Sequence, residues 1–254
     1  MKKIVEQKWD YTKHAKFYEY RPNYAKESVA MLKTMVFPRG GGLVADIGAG
    51  TGNLSLMLLE LGLQVNAVEP NDAMREIGIQ RTQGMNVKWH RALGTETGLE
   101  SNKYDWVAFG SSFNVMDRSL ALQEAYRILK QDGWFSCMWN HRDLNDPIQK
   151  EVEGIIKQFV PGYNGGVRRE DQRPILEQHK DLFDGIIYLE QDFYFHQTID
   201  TYIYAWQSVK NPYWDLETQE GKELFEKIVS KIRDSLPKEF QIKYTTRSWS
   251  AKKG

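Results

Sequence analysis

Leu43-Val44-Ala45-Asp46-Ile47-Gly48-Ala49-Gly50-Thr51-Gly52-Asn53 is the stretch on which the reading of this chain turns. A short apolar run passes into alternate glycines and then directly into residues that start a helix. Glycine at such a junction permits a sharp turn and lets a ligand approach the backbone, because no Cβ stands in the way. The dinucleotide fingerprint G-x-G-x-x-G needs its third glycine where Asn53 stands, so that match fails. What remains is Asp46-x-Gly48-x-Gly50-x-Gly52, with an acid ahead of the loop. A carboxylate there repels a pyrophosphate and suits a cationic ligand end such as an amino group.

The next apolar run ends Val65-Asn66-Ala67-Val68-Glu69-Pro70. A carboxylate at a strand end roughly 20 residues past a glycine loop is placed to accept hydrogen bonds from two ribose hydroxyls. Around these two signals, short apolar runs alternate with amphipathic stretches. The pattern predicts strands over Leu43–Ile47, Gln64–Val68, Asn86–His90, Tyr104–Phe109 and Trp134–Trp139. It predicts helices over Asn53–Leu61, Asp72–Arg81 and Ser119–Leu129. Strand–helix alternation with short connections signals a Rossmann-like, doubly wound, mainly parallel sheet covered on both faces.

Residues 1–42 read as an N-terminal helical lid, with helical pieces over 10–36 broken at Arg21-Pro22, since proline disfavours helix at the residue before it. Residues 43–140 are the α/β core. Past Asn140 the rhythm stops, and 141–183 reads as a cap insertion with a helix over Pro147–Phe159, a Gly- and charge-rich loop and a second short helix. Residues 184–254 would complete a seven-stranded sheet, with strands over Ile186–His196 and Phe240–Ser250, the last antiparallel, and helices over 199–209 and 217–235.

Composition narrows the function. In 254 residues, 34 basic side chains meet 34 acidic ones, so the broad positive surface of a general nucleic-acid binder is missing. A hydrophobic fraction of 41% marks a globular chain with material for a core. The lone Cys137 cannot close an internal disulfide or build a thiolate metal cluster. Met1-Lys2-Lys3-Ile4-Val5-Glu6 turns polar before an apolar signal segment can form, and no run approaches about 18 apolar residues, so the expected address is the cytoplasm, with no membrane partner. The excess is aromatic, 8 Trp and 13 Tyr, and rings cluster before residue 25 (Tyr11, Phe17, Tyr18, Tyr20, Tyr24) and in the last third (Tyr188 to Trp214). Those two regions flank the sheet on one side, so some of these rings should wall a pocket.

These residues resemble the class I S-adenosylmethionine-dependent methyltransferases. The likeness includes Tyr104-Asp105-Trp106-Val107 and the run Glu124-Ala125-Tyr126-Arg127-Ile128-Leu129-Lys130-Gln131-Asp132-Gly133. Tyr18-Glu19-Tyr20-Arg21-Pro22-Asn23-Tyr24 and Trp139-Asn140 are similar to elements of a small-molecule branch, type 11/25-like, that includes trans-aconitate-type and antibiotic-sugar enzymes. The resemblance implies S-adenosylmethionine as cofactor, S-adenosylhomocysteine as product and no metal. It sets Gly48, Gly50 and Gly52 beneath the methionine part, Asp46 near its amino group, Glu69 on the ribose and Pro70 beside the adenine. Leu93-Gly94-Thr95 would meet the adenine edge, and Arg21 would pair with the methionine carboxylate unless it is a plain surface arginine before a proline.

The substrate side should come from the ends of the fourth and fifth strands, Gly110-Ser111-Ser112-Phe113-Asn114 and Asn140-His141-Arg142-Asp143, with Ser111 at the cofactor and Tyr18 at the substrate. Methyl transfer from a sulfonium is an in-line displacement, so positioning in a dry pocket supplies much of the catalysis. A hydroxyl acceptor gains from a base, and His141 is the best placed histidine, with a merely packed loop histidine as the other reading. Asn114 stands where the branch often carries a histidine, and His14 is a weaker second candidate. Arg168 and Arg169 are either a solvated charge run or a mobile lid over an anionic substrate. His141-Arg142-Asp143-Leu144 imitates a kinase loop without its companions, and Asn211-Pro212-Tyr213-Trp214 imitates an amino-methyltransferase motif in the wrong place. The expectation is methylation of an oxygen, or less readily a nitrogen, of a small and, if the arginines face it, anionic molecule, by a monomer or homodimer. RNA or protein methylation, and a catalytically silent nucleoside-binding protein, are the rivals.

Overall fold

The glycine-loop strand β1 (Leu43–Ile47) lies inside the sheet, parallel to β2 (Gln64–Val68) on one side and to β4 (Tyr104–Gly110) on the other. The structure is a computed structural model and describes residues 11–38, 40–164, 170–209, 211 and 213–254. With β3 (Val87–His90), β5 (Leu129–Arg142), β6 (Phe183–Thr198) and β7 (Glu239–Lys253), the sheet has seven strands in the order β3-β2-β1-β4-β5-β7-β6. The order reverses between β1 and β4, which opens a crevice beyond their carboxyl ends. β7 enters antiparallel between β5 and β6. The fold is the expected mainly parallel, doubly wound sheet with an antiparallel last strand.

Strand alternation divides the core. Val44, Trp106 and Ala108 face one way, onto α1 (Lys26–Val36) and α2 (Asn53–Glu60). Ala45, Val107 and Phe109 face the other, onto α4 (Arg118–Ile128), because successive strand residues point to opposite faces. Both faces being covered, β1 and β4 read as near-continuous apolar runs, which is why they stand out in the sequence. α3 (Asp72–Arg81), started by the Asn71 side chain accepting from Met74 N–H, connects β2 to β3.

Strands β5, β6 and β7 extend past their apolar runs. The sequence pattern predicts an end to β5 at Trp139, yet the strand pairs residue by residue with β7 as far as Arg142, opposite Tyr244. The antiparallel partner supplies backbone hydrogen bonds where the local pattern has turned polar, so His141 and Arg142 are strand residues rather than loop residues.

The two helices between residues 141 and 183 pack in different places. α5 (Pro147–Phe159) joins α7 (Ile199–Gln207) and α8 (Gln219–Ser235) in a third apolar cluster over Phe240, Ile242 and Tyr244 of β7. The short α6 (Arg173–Glu177) instead buries Leu176 in the main core beside Phe183. α7 thus lines the crevice, backed by α5 and α8 in one helical layer assembled across the expected boundary at residue 183. A 3-10 helix over Thr12–Tyr20, rather than an α-helix, bridges the two sides. Asn71 donates to Thr12 at 3.0 Å on the α3 side, and Phe17 stacks on Tyr204 of α7 with ring centroids 6.0 Å apart. Among the described residues no helix is long and apolar enough to cross a membrane.

Candidate active site

A cavity of about 700 Å³ begins at the glycine loop, passes the ends of β4 and β5, and finishes under α7 and the segment after it. Of the residues singled out in the sequence, Tyr18, Arg21, Asp46, Gly48, Gly50, Glu69, Pro70, Leu93, Gly94, Thr95, Ser111 and His141 line it.

The first half is made by local chain geometry. Gly48 has φ +67°, and a Cβ there would stand 2.5 Å from Ser112 Cβ, so only glycine fits. Gly48 and Ala49 N–H both donate to Val68 O, which ties the loop to the end of β2 and brings Glu69 beside it. Glu69 then accepts from Gly50 N–H and from Asn71 N–H, each at 2.8 Å. Burial pushes the Glu69 carboxyl above its ordinary range, opposed by those two N–H groups and by the Arg75 guanidinium. One carboxylate oxygen accepts more than one hydrogen bond, so both retain capacity toward the cavity.

Asp46 is fully buried. Its Oδ2 accepts from Ser55 Oγ at 2.6 Å, and its Oδ1 has no hydrogen-bond partner among the described residues. Burial above all pushes its carboxyl up to about 7, with Ser55 opposing and the Glu69 charge adding to the rise. An unpartnered buried acceptor is costly, and a ligand N–H that reaches it removes the cost. Loop glycines without Cβ atoms, an orphaned carboxylate oxygen for an amino group and a backbone-held carboxylate for hydroxyls together fit a nucleoside bearing an amino-acid end.

Arg21 closes this half from above. Its Nε donates to Ser208 Oγ at 2.7 Å and a terminal nitrogen to Ser208 O at 2.6 Å, while the guanidinium lies 3.9 Å from the Tyr18 ring centre. It is therefore a clasp between the N-terminal lid and the end of α7, not a loose surface arginine. His14 bonds the Gln207 carbonyl at 2.7 Å in the same seam, outside the cavity wall. Ser111 leaves β4 with φ +59°, uncommon outside glycine, and its hydroxyl meets Tyr24 Oη at 2.9 Å. Backbone strain of this kind concentrates at ligand sites.

Gly52 and Asn114 also stand away from the cavity. Gly52 begins α2, and a Cβ there would meet the Trp89 ring at 3.3 Å, so its smallness serves helix–strand packing. Asn114 accepts from Trp139 Nε1 at 3.1 Å and does not line the cavity; the tight turn after β4 sends its side chain back into the sheet. It holds a wall residue, so it is a positioning residue here rather than a group that reaches substrate. Arg168 and Arg169 lie outside the described residues.

The far half of the cavity holds residues that motif reading passes over. Arg142, which in the sequence looks like part of a kinase-like decoy, lines it together with Tyr163, Tyr202, Trp206, Asn211 and Tyr244. The sequence places it in the substrate-side segment Asn140-His141-Arg142-Asp143 without giving it a role of its own. The rings come from the aromatic excess, and they do wall the pocket.

A parallel sheet reversing beside a glycine loop, with strand-end carboxylates in place of a phosphate cradle, defines a Rossmann-like protein with a nucleoside site. The family profile described as a methyltransferase domain matches residues 45–137. An uncharacterized methyltransferase of Mycobacterium tuberculosis is 33% identical over 141 residues, 54% of this chain and 54% of that protein. This chain therefore spans about half the length of that relative. A ubiquinone/menaquinone biosynthesis C-methyltransferase of Zymomonas mobilis is 32% identical over 164 residues, covering 58% of this chain and 67% of the other. In fold the chain is similar to a phosphoethanolamine N-methyltransferase of Haemonchus contortus, solved with phosphomonomethylethanolamine and S-adenosylhomocysteine, at TM-score 0.55 and 20% identity over 94% of this chain and 56% of that one. The chain belongs to the class I S-adenosylmethionine-dependent methyltransferases of type 11/25.

Proposed function

We propose that this protein transfers a methyl group from S-adenosylmethionine to an oxygen of a small molecule enclosed in the cavity. The observation that carries the reading is the carboxylate pair at the glycine loop. Asp46 offers an unpartnered buried oxygen and Glu69 a backbone-fixed carboxylate, in one cavity with a second, aromatic half. When bound, S-adenosylmethionine supplies a methyl group activated by a sulfonium. Asp46 would hold the amino group, Glu69 the ribose hydroxyls, and the Leu93–Thr95 turn the adenine edge. Gly94 suits that edge, since a Cβ there would meet Met116 Sδ at 2.7 Å and Ile47 Cγ2 at 2.8 Å, leaving backbone as the contact surface.

What remains for the chain is orientation, water exclusion and proton removal. Tyr18 and the Arg21 clasp shut the cavity from the lid side, which keeps water from a reactive sulfonium. His141, buried and on the cavity wall, would take the proton of a hydroxyl acceptor.

Thermal shift tests the cofactor. S-adenosylhomocysteine should raise the melting temperature and NADH should not; the reverse pattern overturns the reading. With an acceptor in hand, His141→Ala should lower kcat by about 100-fold while S-adenosylhomocysteine affinity is kept. An unaltered rate removes the base, and a product methylated on carbon or nitrogen removes the oxygen assignment.

A further inference from the structure

Arg142 is a cation set among aromatic rings. Among the described residues it forms no ion pair, although arginines elsewhere do, Arg118 with Glu170 and Arg247 with Glu190 among them. It sits at the end of β5, directly across from Tyr244 in β7, with its guanidinium 4.4 Å from the Trp206 ring centre. Burial works against its charge, yet the oxygens of Tyr244, Tyr202 and Tyr163 outweigh that, so it stays charged. A part-buried charge surrounded by rings is costly to hold unless something neutralises it.

A second, independent group points into the same space. Asn211 Oδ1 accepts from Tyr213 N–H at 2.9 Å and Trp214 N–H at 3.2 Å, which fixes the amide so that Nδ2 is the remaining end. That Nδ2 is a buried donor with no acceptor among the described residues, and Asn211 lines the cavity. Tyr213, two residues on, packs against Tyr163 with ring centroids 5.0 Å apart, and Tyr163 in turn feels the Arg142 charge. Among the described residues the far half of the cavity therefore offers one positive charge and one fixed neutral donor between aromatic walls.

We propose that the methyl acceptor carries a single carboxylate, received by Arg142 with Asn211 as a second donor, on an otherwise flat or apolar body that packs against Trp206 and the tyrosines. The charge count among the described residues selects the class: one uncompensated guanidinium balances a monoanion, whereas a phosphate dianion would leave buried negative charge unpaired. The planar guanidinium also matches a carboxylate through two parallel hydrogen bonds. This inference rests on the methyl-transfer reading of the cavity.

The experiment uses the full chain saturated with S-adenosylhomocysteine and titrates benzoate, phenylacetate and octanoate by calorimetry and thermal shift. Benzamide serves as the neutral analogue and phenyl phosphate as the dianion. At least one monocarboxylate should bind and benzamide should not. Arg142→Gln should weaken that carboxylate by about tenfold or more, with S-adenosylhomocysteine affinity unchanged. Asn211→Asp keeps the oxygen that holds the turn and places a second oxygen where the donor was, so it should weaken the carboxylate comparably while the protein folds. If S-adenosylhomocysteine binds and no monocarboxylate does, if phenyl phosphate binds in preference, or if both variants bind carboxylate as the parent does, the proposal is overturned. If S-adenosylhomocysteine itself fails to bind, the methyl-transfer reading fails first.

Discussion

The two halves of the cavity are built on opposite principles. The glycine-loop half is negative and rich in backbone donors, and its floor lies between Asp46 and Thr95, beneath the Arg21 clasp. The far half is aromatic and, among the described residues, carries one unpaired cation, with parts drawn from Arg142, Tyr163, Trp206, Asn211 and Tyr244. In the first, strand ends and a tight loop place the polar groups, and the side chains hold one another through short hydrogen bonds. In the second, α7, the segments around Tyr163 and Asn211 and the far ends of two antiparallel strands converge, and shape comes from ring packing. A ligand component common to many proteins can be met by the first kind of construction. A particular acceptor needs the second, whose walls change without disturbing the sheet.

If the halves are independent, a change in one should leave the other's ligand untouched. Glu69→Ala has the strongest consequence, because it removes a charged acceptor from two fixed backbone N–H groups. S-adenosylhomocysteine should bind more weakly by about 1.5–3 kcal/mol, measured by calorimetry, while carboxylate probes of the far half are unaffected once the cofactor site is saturated. Equal affinity for parent and variant would take the ribose away from Glu69.

Asp46 gives a pH-dependent test of intermediate size. Its folded value of about 7 lies above the ordinary carboxylate range. A raised folded pKa means that the folded state binds the extra proton, so the stability contribution is full below the unfolded value and is lost as pH rises through about 7. The ligand-free protein should therefore gain on the order of 1–2 kcal/mol on acidification from about pH 8 to about pH 5.5, read by urea unfolding, and Asp46→Asn should flatten much of that rise. S-adenosylhomocysteine affinity should move the other way, weakening on acidification, because an ammonium group is held by the ionised carboxylate. A pH profile unchanged in Asp46→Asn would assign the dependence to other groups.

Asn114→Ala probes the boundary between the halves and carries the least effect. Trp139 Nε1 loses its acceptor, which should cost about 1–2 kcal/mol of stability in chemical denaturation, with S-adenosylhomocysteine affinity intact. A variant of full stability but no turnover would return Asn114 to the chemistry.

Much of the first half is legible in the sequence. β1, β2 and α3 fall on the residues that the apolar rhythm predicts, because strands buried on both faces must be apolar throughout and Asn71 marks the start of α3. Glu69 is legible through its distance from the glycine loop. Gly52 is misread for a physical reason: three alternate glycines look equivalent in a sequence, but only the turn geometry shows that the third faces Trp89. Asn114 is misread because a side chain's direction after a tight turn depends on what fills the space behind it. Arg142 stays hidden because its meaning lies in what it lacks, and a missing counter-ion can be seen only when all its neighbours are known.

The parallel sheet, the glycine loop and the acid ahead of it are properties of the chain alone, because each is a matter of residues adjacent in sequence obeying local sterics and a fixed period. How far β5 runs, which helices roof the crevice and which charge is left unpaired are settled only by tertiary structure. Those outcomes follow from pairing between Arg142 and Tyr244, and from packing of α5 against α8, across separations that no local pattern encodes.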